Sequence, residues 1–361
     1  MTQKIVLIGG GHTHALVLHA LKNHPLPDAE ITIVNPGQTA PYSGMLPGFI
    51  AGHYTRSDLD IDLQPLSAQV GARWVDGRAV SMDAHRQVVV LDDAQELAFD
   101  IASFDVGITS EMDALPGFGA LGVPAKPLAN FASKWDRFRI SEGAKNVVIL
   151  GGGIAGVEIA MAMAFALRDD PGKVSVTLLD RTQILSNNSP TAQKHLRRAL
   201  TANAVEVLEG AQVTEVTPSE VVLSNGGPIP ANFVVGAAGA TPHKWVANTG
   251  LRQKDGFIEV TKTLETSLPG VFAVGDCAYM AFAPRPKAGV FAVRQAPVLV
   301  ENLHRALAGE RLKEFYPQSD YLKLVSLGGK RAFGEKLGWG IAGRAMWSLK
   351  DQIDRRFMDQ F

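Results

Sequence analysis

The sequence predicts an α/β fold built around two copies of one strand–turn–helix–strand unit. The first copy has an apolar strand at 4–8, a glycine run at 9–11 and a second strand at 31–34. The second copy repeats this order, with a strand at 146–150, a glycine-rich turn at 151–156 and a strand at 174–180. Short β-branched runs of this kind are typical of buried parallel strands. We therefore predict two parallel sheets, each with a crossover helix that connects two of its strands.

The composition agrees with a globular protein of two or three domains. Of the 361 residues, 46% are hydrophobic and 20% are charged, and the length exceeds that of one ordinary domain. The net charge of −1 gives no global field that would attract nucleic acid, so we expect no nucleic-acid partner. No stretch reaches the roughly 18 apolar residues of a membrane span. The N-terminus lacks the pattern of a secretory signal, which predicts a cytoplasmic protein.

The first glycine run predicts a phosphate-binding turn. Gly9 and Gly11 permit a tight turn and a close approach of a phosphate to the backbone. The following helix would offer its N-terminal N–H groups to a pyrophosphate, and the spacing fits a Rossmann-like βαβ unit. Two positions depart from the usual pattern. His14 stands at the third glycine, and Asn35 stands where an acid usually holds the ribose hydroxyls. Asn35 can still accept a hydrogen bond, without the charge.

The second copy retains every glycine of the motif, at Gly151, Gly153 and Gly156. Its second strand ends in Asp180, which lies 24 residues past Gly156. An acid at this place favours a free 2′-hydroxyl and therefore NAD over NADP. The neighbouring Arg181 would suit a 2′-phosphate, which leaves NADPH open. Two such units in one chain predict two bound dinucleotides.

The pair His12 and His14 raises the alternative of a metal site. Side chains two residues apart on a helix point to different sides, and a metal site needs about three or four convergent ligands. No cluster of Cys, Asp or Glu at ligand spacing lies nearby. We therefore predict no metal, and expect the two histidines to line the cofactor turn or to pack beside it.

A third motif gives the sequence a family resemblance. The run TSLPGVFAVGD at 266–276 resembles a segment of the two-dinucleotide flavoproteins, which include pyridine nucleotide-disulfide oxidoreductases, type II NADH dehydrogenases and sulfide:quinone reductases. The resemblance implies that Gly275 and Asp276 hold the ribityl chain of FAD. Two further segments are similar to the family. FDIASFDVG at 99–107 places Gly107 at the FAD site, and ANFVVGAAGATP at 231–242 places Gly239 at the NAD site.

The same resemblance implies the order of the domains. An FAD-binding domain would begin at 1–112, an NAD(P)H-binding domain at 113–243 would be inserted into it, and 244–315 would complete the FAD domain. Residues 316–361 would form a short C-terminal segment. Pro/Gly-rich crossings at 115–130 and 240–245 agree with the two borders of the insertion.

The stretch PYSGMLPG at 41–48, together with GGGHTH at 9–14, resembles a subgroup of these flavoproteins. Its members occur alone or fused to selenophosphate synthetase (selenide, water dikinase), which suggests a functional link to selenium metabolism. In the family this loop lies beside the flavin ring, so Pro41 and Ser43 would contact FAD. Tyr42 and Met45 either line the flavin or belong to the core.

The number of cysteines limits how electrons can leave the flavin. Cys277 is the only cysteine in the sequence, so neither a redox disulfide nor the paired flavin-side cysteines of sulfide:quinone reductases can form. Type II NADH dehydrogenases are therefore the nearest model. The resemblance implies that hydride passes from NADH to flavin N5 and then to an unidentified small-molecule acceptor, with a quinone favoured.

Three residues are candidates for catalysis. Glu158 is an acid among apolar residues of the second crossover helix, where burial without a partner is costly. In the family it reaches toward the flavin and nicotinamide, and its alternative is a solvent-facing place in the first turn. Lys287 precedes a helix at 288–303, whose N-terminus points at the flavin in the family that the sequence resembles. Gln295 keeps half of the Gln-Gln pair that type II NADH dehydrogenases carry by the quinone, whereas Arg294 departs from it.

Two other classes of function stay open on the sequence alone. One is a flavoenzyme that acts on a selenium or sulfur compound or on a protein partner, and the other is a non-catalytic module that senses FAD and NAD. The C-terminal stretch 346–361 has apolar residues at helical spacing. With its basic residues, 344–361 could make peripheral contact with the cytoplasmic face of a membrane. The alternatives are docking on the chain's own FAD domain or on a second copy, as in a homodimer.

Overall fold

A computed structural model describes residues 2–110 and 112–361 of the chain. Its N-terminal part contains β1 (Gln3–Ile8), α1 (His12–Leu21), β2 (Ala29–Asn35), β3 (Thr39–Pro41), α2 (Leu46–Ile50), α3 (Arg56–Leu59), β4 (Asp60–Asp62), α4 (Leu63–Ala68), β5 (Arg73–Asp76), β6 (Ala79–Asp83), β7 (Val88–Leu91), β8 (Glu96–Ala98) and β9 (Ile101–Phe104).

The middle of the chain contains α5 (Phe118–Leu121), β10 (Gly122–Pro124), α6 (Leu128–Ile140), β11 (Lys145–Leu150), α7 (Ile154–Leu167), β12 (Val174–Asp180), α8 (Pro190–Ala202), β13 (Glu206–Glu209), β14 (Val213–Val216), β15 (Glu220–Leu223), β16 (Ile229–Pro230) and β17 (Phe233–Gly236). The remainder contains a 3-10 helix (Lys244–Thr249), β18 (Gln253–Lys254), β19 (Phe257–Val260), β20 (Val271–Ala273), a second 3-10 helix (Gly275–Cys277), β21 (Ala278–Met280), α9 (Gly289–Ala308), β22 (Lys323–Ser326), β23 (Ala332–Lys336), β24 (Trp339–Gly343) and α10 (Arg344–Met358).

The first parallel sheet has the strand order β20-β9-β1-β2-β5, which is the Rossmann order. Ile8 of β1 pairs with Val34 of β2 and with Phe104 of β9, so the three strands end at the same edge. The β-branched and leucine side chains of β1 are buried, as they must be in a strand that is covered on both faces. Helix α1 packs against α9. We call this unit the FAD lobe.

The second parallel sheet has the order β10-β17-β11-β12-β13. Leu150 of β11 pairs with Leu179 of β12 and with Gly236 of β17, which repeats the register of the first sheet. Helix α7 is apolar on nearly every side and is buried along most of its length. We call this unit the NAD lobe. Its strands lie in the chain between β9 and β20 of the first sheet, while the predicted borders at 112, 243 and 315 stay predictions.

The two lobes confirm the predicted α/β fold class. Each has the strand, glycine turn, helix and parallel strand that the sequence predicted, because both units bury their apolar strands under a crossover helix. Short antiparallel sheets complete the fold, among them β6-β7-β8, β14-β15-β16 and the C-terminal β22-β23-β24. Within the described ranges, no helix is long and apolar enough to cross a membrane.

The C-terminal helix α10 buries only part of the face predicted by its apolar spacing. Phe357 of that face is buried together with Trp347, Lys350 and Asp354, whereas Ile353 is 44% exposed. Lys350, one of the basic residues considered for membrane contact, is thus buried beside Asp354. The two side chains form an i,i+4 ion pair of 2.5 Å, which allows both to be buried. Helix α10 therefore docks on its own chain. The sequence analysis gave such docking as an alternative to membrane contact.

Candidate functional site

The turn after β1 packs tightly on the end of β9. Gly9 has a φ of +89°, and a Cβ at this position would lie 2.4 Å from the carbonyl oxygen of Asp105. Gly11 N–H donates to the same carbonyl oxygen at 3.2 Å. A side chain at either glycine would push the turn away from the sheet. The predicted Gly9 and Gly11 are thus required for the local geometry.

Asn35 lies at the end of β2 and holds this turn. Its Oδ1 accepts a hydrogen bond from Gly10 N–H at 2.8 Å, and its Nδ2 donates to the carbonyl oxygen of Gly37 at 2.8 Å. The amide is therefore fixed beside the predicted ribose position. Contact of Asn35 with the ribose stays a prediction.

The sequence analysis missed Asp105, the residue that follows β9. Its Oδ2 accepts from the backbone N–H groups of Thr13 at 2.9 Å and His14 at 3.1 Å, in the first turn of α1. The residue is 3% exposed, and burial raises the pKa of its carboxyl group to about 7. Its position was predictable in principle, because polar residues at the carboxyl ends of parallel strands gather at one edge of the sheet.

The two histidines of the turn have different surroundings. His14 is fully buried, with Nδ1 2.7 Å from the Gly9 carbonyl oxygen and Nε2 2.8 Å from Ser103 Oγ. This placement favours packing over cofactor contact. His12 lies at the mouth of the turn. Ser43 N–H donates to its Nε2 at 3.4 Å, and its ring meets Tyr42 edge-on with 5.3 Å between centroids. Burial lowers the pKa of both histidines to about 4, so both rings are neutral at physiological pH.

His12 and the loop 41–45 meet beside the N-terminus of α9. A Cβ on Gly289 would lie 3.6 Å from Ser43 Oγ and 3.7 Å from His12 Nδ1. Pro41 ends β3, which pairs with β4 and fixes the start of the loop. The predicted FAD contacts His12, Pro41 and Ser43 are therefore brought together. Among the described residues, no group of three or more His, Cys, Asp or Glu side chains is arranged to hold a metal ion.

Asp276 forms an ion pair that the sequence analysis did not anticipate. Lys126 Nζ lies 2.8 Å from Asp276 Oδ2. Lys126 precedes α6, and its backbone is tied to Ser110, whose Oγ accepts from Lys126 N–H at 2.9 Å. Gly275 has a φ of +66°, as the turn before Asp276 requires. The ion pair joins the crossing into the NAD lobe to the predicted ribityl-binding turn, and nothing in the local sequence around Lys126 indicated it.

Gln295 and Lys287 lie beneath this turn. Gln295 is 1% exposed, and its Oε1 accepts from Gly275 N–H at 2.7 Å. Lys287 Nζ donates to the Ala278 carbonyl oxygen at 2.6 Å and lies 4.0 Å from the centre of the Phe257 ring. Burial lowers the pKa of Lys287. Both residues line a cavity of about 20 Å³ beside Gly275 and Asp276. The structure gives them supporting positions, and their catalytic roles stay predictions.

The NAD lobe has an open cavity at its glycine turn. A Cβ on Gly156 would lie 1.9 Å from the Gly151 carbonyl oxygen, so this glycine lets α7 approach the strand. By contrast, a Cβ on Gly153 would meet no atom within 4 Å. The cavity has a volume of about 490 Å³. Its lining includes Met112, Leu115, Gly151, Asp180, Arg181, Thr182, Gln212 and Ala238.

Asp180 is held at the rim of this cavity as the motif predicts. Its Oδ2 accepts from Gly152 N–H at 2.7 Å, and its Oδ1 accepts from Thr182 N–H at 2.7 Å. Gly239, which follows the cavity residue Ala238, has a φ of +77°. Open space beside Gly153 and a fixed carboxylate at the end of β12 fit the adenosine half of a nicotinamide dinucleotide.

Glu158 lies two residues beyond Gly156 and is half-buried. Its Oε1 accepts from Ser326 N–H of β22 at 2.6 Å. Burial raises the pKa of Glu158 to about 7, although the positive charge of Lys350 and the Ser326 bond oppose this shift. This bonded, half-buried position differs from the fully solvent-facing glutamate of the alternative. A half-buried acid with a pKa near neutrality is suited to proton transfer.

Helix α10 contacts the loop at 41–45, the predicted flavin loop, and the charge of its Lys350 acts on Glu158. Lys350 Nζ donates to the Gly44 carbonyl oxygen at 2.5 Å and to Asp354 Oδ2 at 2.5 Å. Tyr42 donates its hydroxyl to Asp354 Oδ1 at 3.3 Å, and the Phe357 ring stacks on Tyr42 with centroids 4.3 Å apart. Sequence reasoning missed Lys350 and Asp354 because an ion pair, rather than an apolar side chain, fills this part of the interface.

The residues present fit FAD in the first lobe and NAD(P)H in the second. Both lobes have the same register and the same glycine-bounded turn, and both place a polar side chain at the end of the second strand. The FAD lobe adds Asp276 and the loop around Ser43. One feature has no counterpart in the NAD lobe, namely the carboxyl group of Asp105 at the start of the helix.

Comparison with known proteins agrees with this arrangement. The chain is 27% identical over 361 residues to the NADH dehydrogenase-like protein YutJ of Bacillus subtilis (strain 168), and the match covers 97% of each chain. It is 28% identical to the type II NADH:quinone oxidoreductase of Haemophilus influenzae over 54% of this chain and 47% of that one. Its fold is similar to the crystal structure of a sulfide:quinone oxidoreductase from Aquifex aeolicus, with a TM-score of 0.79, 15% identity and coverage of 99% and 92%.

A family model covers most of the chain. The model described as pyridine nucleotide-disulphide oxidoreductase matches residues 3–296, which include both glycine turns and Asp276. The chain therefore belongs to the pyridine nucleotide-disulphide oxidoreductase family, whose members are FAD-dependent NAD(P)H oxidoreductases.

Proposed function

We propose that the protein oxidises NADH and delivers the two electrons to a quinone-type acceptor without a redox disulfide. The observation that carries this proposal is the position of Glu158, a half-buried acid of the NAD lobe that accepts from Ser326 of the C-terminal segment, whose Lys350 contacts Gly44. FAD, when bound, supplies the ring that takes the hydride from NADH. The residues of the protein then need only to bind and orient the two cofactors and to transfer protons.

Cys277 does not offer a second route for the electrons. It is the only cysteine in the sequence and is 2% exposed. Burial raises the pKa of its thiol to about 12, so the reactive thiolate is not formed at physiological pH. The absence of a partner cysteine supports electron transfer from the flavin directly to the acceptor.

The residues proposed to hold the cofactors divide between the lobes. For FAD these are the turn from Gly9 to Gly11, Asn35, the loop with Ser43, and Asp276. For NADH they are the turn from Gly151 to Gly156 and Asp180, beside the cavity of about 490 Å³. Asp180 supports NADH over NADPH, because its carboxylate would accept from a ribose hydroxyl and repel a 2′-phosphate.

Glu158 is proposed to manage the proton that the reaction needs. Oxidation of NADH by a quinone consumes one proton from solvent beside the hydride, so a donor must reach the site. With a pKa of about 7, Glu158 can hold a proton at neutral pH and release it. The charges of Lys350 and Asp354 act on its carboxyl group, and these two residues contact Gly44 and Tyr42 of the flavin loop.

The similarity to a type II NADH:quinone oxidoreductase supports a quinone-type acceptor. A selenium or sulfur compound, or a protein, is the alternative acceptor. The functional link to selenophosphate synthetase rests on the resemblance of residues 9–14 and 41–48 alone, and it stays a prediction.

The test is an anaerobic titration of the purified protein with NADH, followed by turnover with a short-chain quinone. We expect flavin absorption bands that bleach at about one NADH per flavin, and then quinone-dependent NADH oxidation. Bleaching without quinone turnover would redirect the search to a chalcogen compound or a protein acceptor. Bands that persist with both NADH and NADPH would favour a sensing module and overturn the proposal.

A further inference from the structure

When equivalent strand positions of the two lobes are compared, the FAD lobe has a carboxyl group that the NAD lobe lacks. Phe104 pairs with Ile8, and the next residue, Asp105, donates its N–H to the Ile8 carbonyl oxygen at 2.8 Å. In the NAD lobe the residue in this place is Ala237, which donates its N–H to the Leu150 carbonyl oxygen at 2.8 Å. The FAD lobe thus has a carboxyl group where the NAD lobe has a methyl group.

The carboxyl group occupies the place where two glycine turns of the FAD lobe converge. A Cβ on Gly11 would lie 2.3 Å from the Asp105 carboxyl group, and a Cβ on Gly275 would also lie 2.3 Å from it. Its Oδ2 takes the N–H groups of Thr13 and His14. These N–H groups belong to the helix end that attracts the pyrophosphate of a dinucleotide in this fold. Asp105 therefore competes for the same positive end of the dipole.

The charges around Asp105 do not neutralise it. The Asp276 carboxylate faces it from the following turn and raises its pKa further, while Lys126 pairs with Asp276. The neighbouring Cys277 thiol and the rings of His12 and His14 are neutral at physiological pH. Lys287 donates to the Ala278 carbonyl oxygen, and its charge acts on Cys277 and Asp276. Within residues 2–110 and 112–361, no ion pair involves Asp105.

We propose that ionised Asp105 opposes the FAD pyrophosphate, so that FAD binding transfers a proton from solvent onto Asp105 and FAD affinity falls as the pH rises through neutrality. This inference rests on the proposed FAD site. No bond of FAD is made or broken, and the pyrophosphate keeps its charge across this range. The pKa of about 7 in the unliganded protein sets where the effect begins, because an incoming anion can only raise it.

The sign follows from proton linkage. Below its pKa the carboxyl group is already neutral, so FAD binds without a proton and the affinity is independent of pH. Above that pKa, binding must first protonate the group. The dissociation constant then increases by up to about tenfold for each pH unit. A lobe that lacks the carboxyl group shows no such dependence, which is the expectation for the NAD lobe with Ala237.

The experiment is a titration of the FAD-stripped full chain with FAD at several pH values between about 6 and 8.5. Flavin fluorescence measures the bound fraction. Three proteins are compared: wild type, Asp105→Asn and Asp93→Asn. The asparagine at 105 keeps an oxygen for Thr13 and His14 but carries no charge. Asp93 is exposed on the hairpin between β7 and β8, and its Oδ1 accepts only the local Gln95 N–H at 2.9 Å. It is a control for the loss of one negative charge in the same lobe.

We expect wild type and Asp93→Asn to bind FAD progressively more weakly above neutral pH. Asp105→Asn should bind FAD with a nearly constant dissociation constant, and at the highest pH about tenfold or more tightly than wild type. Calorimetry in two buffers of different ionisation enthalpy should detect close to one proton taken up per FAD by wild type at high pH, and none by Asp105→Asn.

The same pH dependence in wild type and Asp105→Asn would overturn the inference, as would FAD binding by wild type without proton uptake. If Asp105→Asn fails to fold, the proton count on wild type decides the question. The failure of wild type to bind FAD at every pH would instead overturn the proposed FAD site. The two results are distinguishable in one data set.

Discussion

At the scale of single residues, an acid stands beside each of the two predicted cofactor turns. Asp105 caps α1 of the FAD lobe, and Glu158 stands in the crossover helix α7 of the NAD lobe. The glycine positions, Asp180 and Asp276 were predictable from the sequence because each belongs to a local motif of fixed spacing. Lys126 and Lys350 were not, since their partners lie far away in the chain.

The Glu158→Gln variant tests the proton role of the residue. A glutamine keeps an oxygen for the Ser326 N–H but cannot release a proton. Wild-type turnover with the acceptor should decrease as the pH rises through about 7, because Glu158 loses its proton there. The variant should be slower by about a hundredfold and lack this inflection.

The measurement is kcat against pH under saturating NADH, with Glu142→Gln as the control. Glu142 is exposed on the loop after α6, so its substitution should change neither the rate nor the profile. An unchanged inflection in Glu158→Gln would assign the titration to another group and remove Glu158 from the proposed proton step.

At the scale of elements, helix α10 shows where sequence periodicity misleads. The apolar residues at 346, 349, 353 and 357 suggested one buried stripe. Of that stripe Phe357 is buried but Ile353 is exposed, and the ion pair of Lys350 and Asp354 is buried where apolar side chains were expected. Hydrophobic spacing cannot detect such a face. The glycine turn before α7, by contrast, followed its motif, since steric exclusion at Gly156 leaves no other residue type.

Two alanine substitutions separate packing from cofactor contact at this turn. Gly156→Ala would place a Cβ 1.9 Å from the Gly151 carbonyl oxygen, so α7 must shift. We expect a loss of about 1–3 kcal/mol in the free energy of unfolding. Gly153→Ala meets no atom within 4 Å and should unfold like wild type, but it should weaken NADH binding, because the methyl group enters the space proposed for the cofactor.

Urea denaturation and NADH titration of both variants provide the comparison. Equal stability of the two variants would contradict the close approach of α7 to β11. Unchanged NADH binding by Gly153→Ala would contradict the proposed place of the cofactor.

At the scale of the whole molecule, the C-terminal segment completes the site rather than standing beside it. Helix α10 reaches the flavin loop through Lys350 and Phe357, and β22 supplies the Ser326 N–H to Glu158. The family resemblance predicted two nucleotide lobes and their order. It could not show that residues near 350 join the lobes, because that contact depends on how the last helix packs.

The buried ion pair of α10 gives a test of this coupling. Lys350→Met leaves the Asp354 carboxylate buried without its partner and should cost about 3–5 kcal/mol of stability. The double variant Lys350→Met with Asp354→Leu removes both charges and should recover most of that loss. The more exposed i,i+4 pair of Arg355 and Asp351 in the same helix is the control, and Arg355→Met should cost less than about 1 kcal/mol.

Chemical denaturation of the single and double variants measures these differences. Additive losses from Lys350→Met and Asp354→Leu would mean that the two side chains do not interact in solution. The packing of α10 described here would then be wrong.

The position of β20 has a consequence for how the chain matures on the ribosome. The sheet of the NAD lobe is built from residues between 122 and 236, so all of its strands emerge together. The sheet of the FAD lobe must wait for β20 at 271–273, and α1 must wait for α9 at 289–308. The FAD lobe, whose first strands are synthesised first, is therefore completed after the NAD lobe. Its apolar strands remain without an edge partner while about 170 further residues are translated, at about 5–20 residues per second.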